Sequence, residues 1–293
     1  MQPVHIFMAV VVAAIWGFNF VVIQWGLESF PPILMASLRF AVAALPALVM
    51  PRPPVPMHRL VFVGTAWFAA QFGLLYLGMH VGMPPGLASV LMQAQAFFTI
   101  LFAALWLGER PSIRQIAGVA VAAAGVVAIG STVAGQGSDM TWPGLALVMT
   151  ASACWALGNV MMRGMGRVEF LPMVVWLSAV APLPLLALSL ILEGPSAIAA
   201  ARWDWSGIAS IVFQGAGATI AGYGMWAYLL KLYPASVVAP FSLLVPLFGV
   251  ASAALVFGEA FGPLRVVGIA LILAGLAAVA LPKRWFSRGR TAA

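Results

Sequence analysis

The chain is a succession of long apolar runs broken by short polar punctuation. Val4 to Leu27, Pro85 to Leu107 and Ala235 to Phe257 are almost free of charge. Runs of this length exceed the ~20 residues that an α-helix needs to cross ~30 Å of hydrocarbon. Strand-period alternation is absent, which argues against a membrane β-barrel. Proline, glycine and charged residues divide the chain into ten candidate helices, near 4–27, 32–51, 60–80, 85–107, 113–131, 142–163, 171–192, 206–230, 235–257 and 263–282. The loops between them are short and leave no room for a separate soluble domain. The first run lacks a basic leader and is long enough to span, so it reads as a retained helix.

Composition agrees: 63% of residues are hydrophobic and 7% charged, where soluble domains carry roughly a quarter charged. The net charge of +7 does not point to nucleic acid, because the basic residues sit in short loops between spans. They sort by side. Ten spans put both termini on one face, together with Arg52, Arg59, Arg110, Arg114, Arg163, Arg167, Lys231, Lys283, Arg284, Arg288 and Arg290. The opposite face has Arg202 and Arg265, and Arg39 stays inside a span. The positive-inside rule then makes both termini cytoplasmic, in a bacterial inner membrane. The basic tail KRWFSRGR anchors the last helix on this reading. The single Cys154 allows no intrachain disulfide.

The two halves of the chain resemble one another. At a shift of 150 residues Pro84 falls on Pro234, Gly108-Glu109 on Gly258-Glu259, and Gly118 and Gly125 on Gly268 and Gly275. At a shorter shift Trp16 and Asn19 correspond to Trp155 and Asn159, the difference fitting extra residues near Trp203. Residues 1–135 and 136–293 are therefore read as two repeats of five spans each. Five is odd, so the second repeat enters the membrane upside down. Inverted repeats are a mark of transporters with a central site exposed alternately to each side. The expected fold is all-α, ten transmembrane helices in two inverted halves around a central cavity.

Polar side chains in mid-span should face other helices or a cavity. Trp16 with Asn19, and Trp155 with Asn159, each project from one helix face; they either line the centre or bond across packed helices. Gln71, Gln93 and Gln95 offer amide donors and acceptors suited to a zwitterion. Two residues apart on a helix, Gln93 and Gln95 are expected on roughly opposite faces. Tyr223 lies in a glycine-rich stretch of the eighth span. Pro240 and Pro246 would weaken the ninth span and form a hinge. Arg39 binds a substrate carboxylate, or snorkels to a surface and pairs with a helix end. No Asp or Glu lies in mid-span, which favours facilitated uniport driven by the substrate gradient over ion coupling. No nucleophile-base dyad is present and the three histidines are scattered, so an enzyme is not expected, nor any cofactor or metal.

The segments WGFNFVVIQWGL, FPPILMASLRF, GMPPGLASVLMQAQAFFTI, CWALGN and VVAPFSLLVPLFGVASAAL, with the paired GE endings, carry a resemblance over nearly the whole chain. It resembles the drug/metabolite transporter superfamily, in particular the ten-helix EamA-type exporters and their cysteine and O-acetylserine branch. The resemblance implies a basket-like bundle, with the fifth and tenth helices peripheral, that exports amino acids or related metabolites; one self-contained bundle in membrane lipid is expected to be a monomer. Aromatic-amino-acid exporters of this kind carry aromatic side chains where this chain has Gln93 and Gln95, which implies smaller or more polar substrates. Carried over residue by residue, Gln93, Gln95 and Trp155 are the first site candidates, with Ser242 of the ninth span beside them. The alternative is a proton-coupled exporter of lipophilic cations, which in small relatives needs a membrane-embedded glutamate.

Overall fold

The structure is a computed structural model that describes residues 1–134, 139–165 and 168–281. Arg167, Lys283, Arg284, Arg288 and Arg290 of the charge count, with the rest of the basic tail, lie outside the described residues. Helices run over Pro3–Leu27 (α1), Pro32–Leu48 (α2), Met57–His80 (α3), Pro85–Leu107 (α4), Ile113–Val133 (α5), Trp142–Arg163 (α6), Phe170–Leu192 (α7), Trp205–Leu232 (α8), Ala235–Phe257 (α9) and Pro263–Ala280 (α10). Among the described residues nine of these are long and apolar enough to cross a bilayer, and no strand forms. The chain is an all-α, multi-pass membrane protein.

α2 is the exception in length. It is α-helical only over Pro32–Ala43, tightens to a 3₁₀ turn at Leu45–Leu48, and falls short of the span read to residue 51. Pro46 enters this turn, where its missing N–H ends the regular ladder. The extra residues near Trp203 fold in part as a short helix, Gly194–Ala199.

Most contacts join the first half of the chain to the second. α1 packs on α8 and α9, α2 on α7, α3 and α4 on α6, and α5 on α10. Burying leucine against lipid tails gains no transfer energy from water, so close backbone approach must hold such pairs. The α5–α10 seam illustrates this. A Cβ at Gly118 would lie 2.9 Å from the Gly275 carbonyl oxygen, and one at Gly125 2.7 Å from that of Gly268. The contacts are reciprocal, since Gly275 meets the Gly118 carbonyl and Gly268 that of Gly125.

In α3, α4, α8 and α9 the irregularities come at equivalent places in the two halves. α3 widens to π-helical turns at Gly64–Ala69, and α8 does so at Phe213–Ala221. α4 breaks at Met92–Gln93, and α9 turns 3₁₀ at Ala239–Leu243. Pro240 lies in that 3₁₀ turn, and Pro246 in the first turn of the α-helix that follows, where a missing N–H leaves no bond unmade.

Carboxylates from the second half cap helix starts. α2 and α4 both begin Pro-Pro, at Pro31-Pro32 and Pro84-Pro85, so their first free amides belong to Ile33 and Leu34 and to Gly86 and Leu87. Glu193 accepts from the amides of Ile33 (2.7 Å) and Leu34 (3.1 Å). Glu259 accepts from those of Gly86 (2.8 Å) and Leu87 (3.3 Å). A carboxylate here fills orphan donors at the positive end of the helix dipole. Asp204 caps its own helix α8 at the Gly207 amide (2.8 Å) and accepts from the Ser29 hydroxyl (2.9 Å). The Gly207 amide, and after it the Ser29 hydroxyl, holds the Asp204 carboxyl below the usual carboxylate range.

Candidate functional site

A cavity of about 270 Å³ opens at the centre of the bundle. Its walls come from α1, α2, α3, α4, α6, α7, α8 and α9, so both halves contribute. Part of the lining is aromatic. The Trp16 ring lies 5.1 Å from that of Tyr223 and 5.3 Å from that of Trp226, and Phe170 meets Tyr223 edge-on at 5.9 Å. Trp16 is fixed by donating Nε1–H to the Ala218 carbonyl at 2.9 Å, inside the π-helical stretch of α8. Trp67, Phe72 and Trp155 add further ring surface. Rings of this kind present a negative face to a cation.

The lining also carries amides and one guanidinium. Asn159 donates from Nδ2 to Gln95 Oε1 at 2.8 Å and to Thr99 Oγ1 at 3.2 Å, tying α6 to α4. Asn19 Oδ1 and Gln71 Oε1 are buried acceptors with no hydrogen-bond partner among the described residues. Arg39 is 2% exposed. It donates to Tyr76 Oη (3.0 Å) and Thr219 Oγ1 (2.6 Å), and its guanidinium lies 4.2 Å from the Phe72 ring centre and 4.8 Å from that of Phe40. These partners are neutral, and Nε has no hydrogen-bond partner among the described residues. A buried cation whose donors are incompletely filled and whose partners carry no charge favours the arrival of an anion.

The comparisons agree with this architecture. The model of the EamA-like transporter family matches the chain twice, over residues 4–131 and 142–281. The chain belongs to the EamA-like transporter family. It is 41% identical over 278 residues to a probable amino-acid metabolite efflux pump of Salmonella typhimurium, covering 92% of each chain. It is 40% identical over 286 residues to a protein of the same description from Escherichia coli K12, covering 95% of each. A solved crystal structure superposes with a TM-score of 0.63 at 20% identity, over 98% of this chain and 100% of that one, which supports the fold alone.

In this EamA-family bundle the cavity gathers ten of the residues singled out from sequence: Trp16, Asn19, Arg39, Gln71, Gln93, Gln95, Trp155, Asn159, Tyr223 and Ser242. Pro240 and Pro246 do not line it; they flank Ser242 and Val245, which do. Two expectations need correction. Gln93 and Gln95 share the cavity, because the break at Met92–Gln93 removes the regular rotation that would have set them on opposite faces. Arg39 does not snorkel: it is sealed in the interior by side chains of α3 and α8. Sequence reasoning missed Trp67, Phe72 and Leu75. A usable signal was present, since Trp67 and Leu75 stand four residues either side of Gln71 and so share its helix face.

Proposed function

We propose that this protein exports amino acids and related small metabolites across the inner membrane, through a central cavity that two inverted five-helix halves expose alternately to each side. The observation that carries this is the composition of the cavity wall. Arg39 Nε is an unfilled donor for a carboxylate. Asn19 Oδ1 and Gln71 Oε1 are unfilled acceptors, and the rings of Trp16, Tyr223 and Trp226 form a cation-attracting wall, both suited to an ammonium. A zwitterion satisfies both sets at once. The likeness to probable amino-acid metabolite efflux pumps of Salmonella and Escherichia supports the same substrate class.

Two family matches along one chain, the reciprocal glycine contacts of α5 and α10, and paired helix irregularities support two halves related by inversion. Five spans per half and the excess of basic residues on the terminal face support ten crossings with both termini cytoplasmic. A volume of about 270 Å³ lies at the small end for ligand pockets. It suits compact polar amino acids of the cysteine and O-acetylserine kind. Gln93, Gln95, Trp155 and Ser242 contact the substrate on this reading, and Pro240 and Pro246 let α9 flex. The protein works as a monomer and a uniporter. Arg39 disfavours the lipophilic-cation reading, because a cation would have to approach a buried positive charge.

The test is uptake of a labelled amino-acid panel into liposomes holding the purified protein, with and without a pH gradient. Gradient-independent uptake of free amino acids, weakly inhibited by their amides, is expected. Active protein that moves a lipophilic cation and no amino acid would overturn the proposal.

A further inference from the structure

Glu109 and Glu259 occupy the same position in the two repeats, and their backbones are alike. Each follows a glycine in the left-handed conformation at the end of its helix, Gly108 at φ 67° and Gly258 at φ 66°. Each donates its amide back to the corresponding alanine carbonyl, Glu109 to Ala103 at 3.3 Å and Glu259 to Ala253 at 3.4 Å. Their carboxylates nevertheless do different things. Glu259 sits on the amides of Gly86 and Leu87 at the start of α4. Glu109 points out to Arg163 at 3.1 Å, both side chains about half exposed.

The helix starts they would serve differ in the same way. At a shift of 150 residues Gly86 and Leu87 of α4 correspond to Ser236 and Val237 of α9, and both helices are preceded by proline, Pro84 and Pro234. Pro84–Val90 is buried throughout, whereas Pro234, Ala235 and Ser236 are exposed. Gly86 also has no room for a side chain, since a Cβ would lie 2.8 Å from Glu259 Oε2. One face of the molecule is therefore shut over its α4 start, while the equivalent α9 start on the other face is open. The Ser236 amide is a donor of the kind that a carboxylate fills at a helix N-terminus, while the Val237 amide bonds in this state to the Pro234 carbonyl at 2.8 Å.

We propose that Glu259 and Glu109 are paired positioning residues that alternate. In the present state Glu259 holds the start of α4 and shuts the face opposite the termini. In the other state it lets go, and Glu109 leaves Arg163 to cap the Ser236 amide and to take the Val237 amide from the Pro234 carbonyl, holding the start of α9 and shutting the terminal face. Both helices lead into the cavity, α4 through Gln93 and Gln95 and α9 through Ser242 and Val245. Seating either carboxylate therefore moves wall residues as well as an entrance. The inference rests on the alternating-access reading above, though not on the identity of the substrate.

The experiment uses full-length protein in detergent with Cys154→Ala as background. A single reporter cysteine, S89C in the buried start of α4 or S236C in the exposed start of α9, is labelled with N-ethylmaleimide. Ser89 is fully buried, so S89C should react slowly and S236C fast. Loss of one charged cap is worth about a tenfold change in the equilibrium between two states. Adding Glu259→Ala should raise S89C labelling about tenfold and slow S236C. Adding Glu109→Ala should slow S89C labelling further. Three results would overturn the proposal: both glutamate variants shifting S89C in the same direction, neither shifting it, or Glu259→Ala raising S89C with S236C unchanged, which is local fraying. Size-exclusion retention and melting temperature check that each variant is folded. Labelling needs no substrate, so an absence of amino-acid uptake alongside the expected labelling pattern would sink the substrate reading alone.

Discussion

Replacing Arg39 with methionine separates recognition from architecture. The substitution removes bonds to Tyr76 and Thr219 and the ring contacts with Phe72 and Phe40. Charged hydrogen bonds are worth about 1.5–3 kcal/mol each and a cation over a ring about 0.5–2 kcal/mol. Against this, the desolvation of a buried ion costs several kcal/mol, which methionine does not incur. Nor are the former partners orphaned: Tyr76 keeps its bond to Gln214 Oε1, and Thr219 keeps its bond to the Gln214 carbonyl at 2.9 Å. The terms cancel to within a few kcal/mol, so the variant should fold and melt near the wild type. A carboxylate that loses its charged partner gives up about 1.5–3 kcal/mol, a ten- to hundredfold rise in KM for a free amino acid. Arg39→Lys should fall between, keeping the charge but losing the planar fork. The assay is concentration-dependent uptake into proteoliposomes, paired with inhibition by the corresponding amino-acid amide. Wild type should prefer the acid strongly and Arg39→Met should not. An unchanged KM in a folded variant would refute the carboxylate role, and parallel loss of melting temperature and uptake would make Arg39 a structural strut.

Trp155→Ala and Gln93→Ala should each lower uptake severalfold at unchanged folded yield, measured by fluorescence-detected gel filtration; equal losses of yield and uptake would point to packing. Gly125→Leu should destabilise the α5–α10 seam by about 1–3 kcal/mol through overpacking, seen as a lower melting temperature, while Gly262→Ala, with open space around it, should not. Asp204 has a depressed carboxyl, so its stabilisation is present above the unfolded-state value and is lost as pH falls through the folded one. The melting temperature should therefore drop through and below the usual carboxylate range. Asp204→Asn, which can still cap α8, should flatten that slope.

Much of the fold was legible because apolar length is a direct physical requirement of the bilayer. The helix limits fell within a few residues where proline or glycine marked them, as at Pro85, Gly108 and Pro263. α2 was misjudged because the apolar stretch runs on past Pro46 while the α-helical hydrogen bonding does not. The site was legible where a polar group sat in an apolar run, since Asn19, Gln71 and Asn159 have few other reasons to be there. Phe72 was not, because in a membrane helix a ring facing a cavity and a ring facing a neighbour look the same in sequence. The Gln93–Gln95 error came from assuming an unbroken helix, and a glutamine at a helix break carries no mark of it. Arg39 was underrated because its distance along α2 says nothing of α3 and α8, which supply Tyr76 and Thr219.

The buried guanidinium also bears on the electrical side of the cycle. Arg39 gives the empty cavity one positive charge with no carboxylate among its described partners. A zwitterion adds no net charge, so the loaded and empty cavities carry the same charge across the field in opposite directions. Over a full turnover the two displacements cancel, and the membrane potential, worth about 2.3 kcal/mol per charge per 100 mV, neither drives nor opposes net export. A monovalent anion would neutralise the loaded form and leave only the return step voltage-dependent. Currents recorded on a supported membrane should therefore vanish at steady state for a neutral amino acid and persist for an acid that lacks the ammonium.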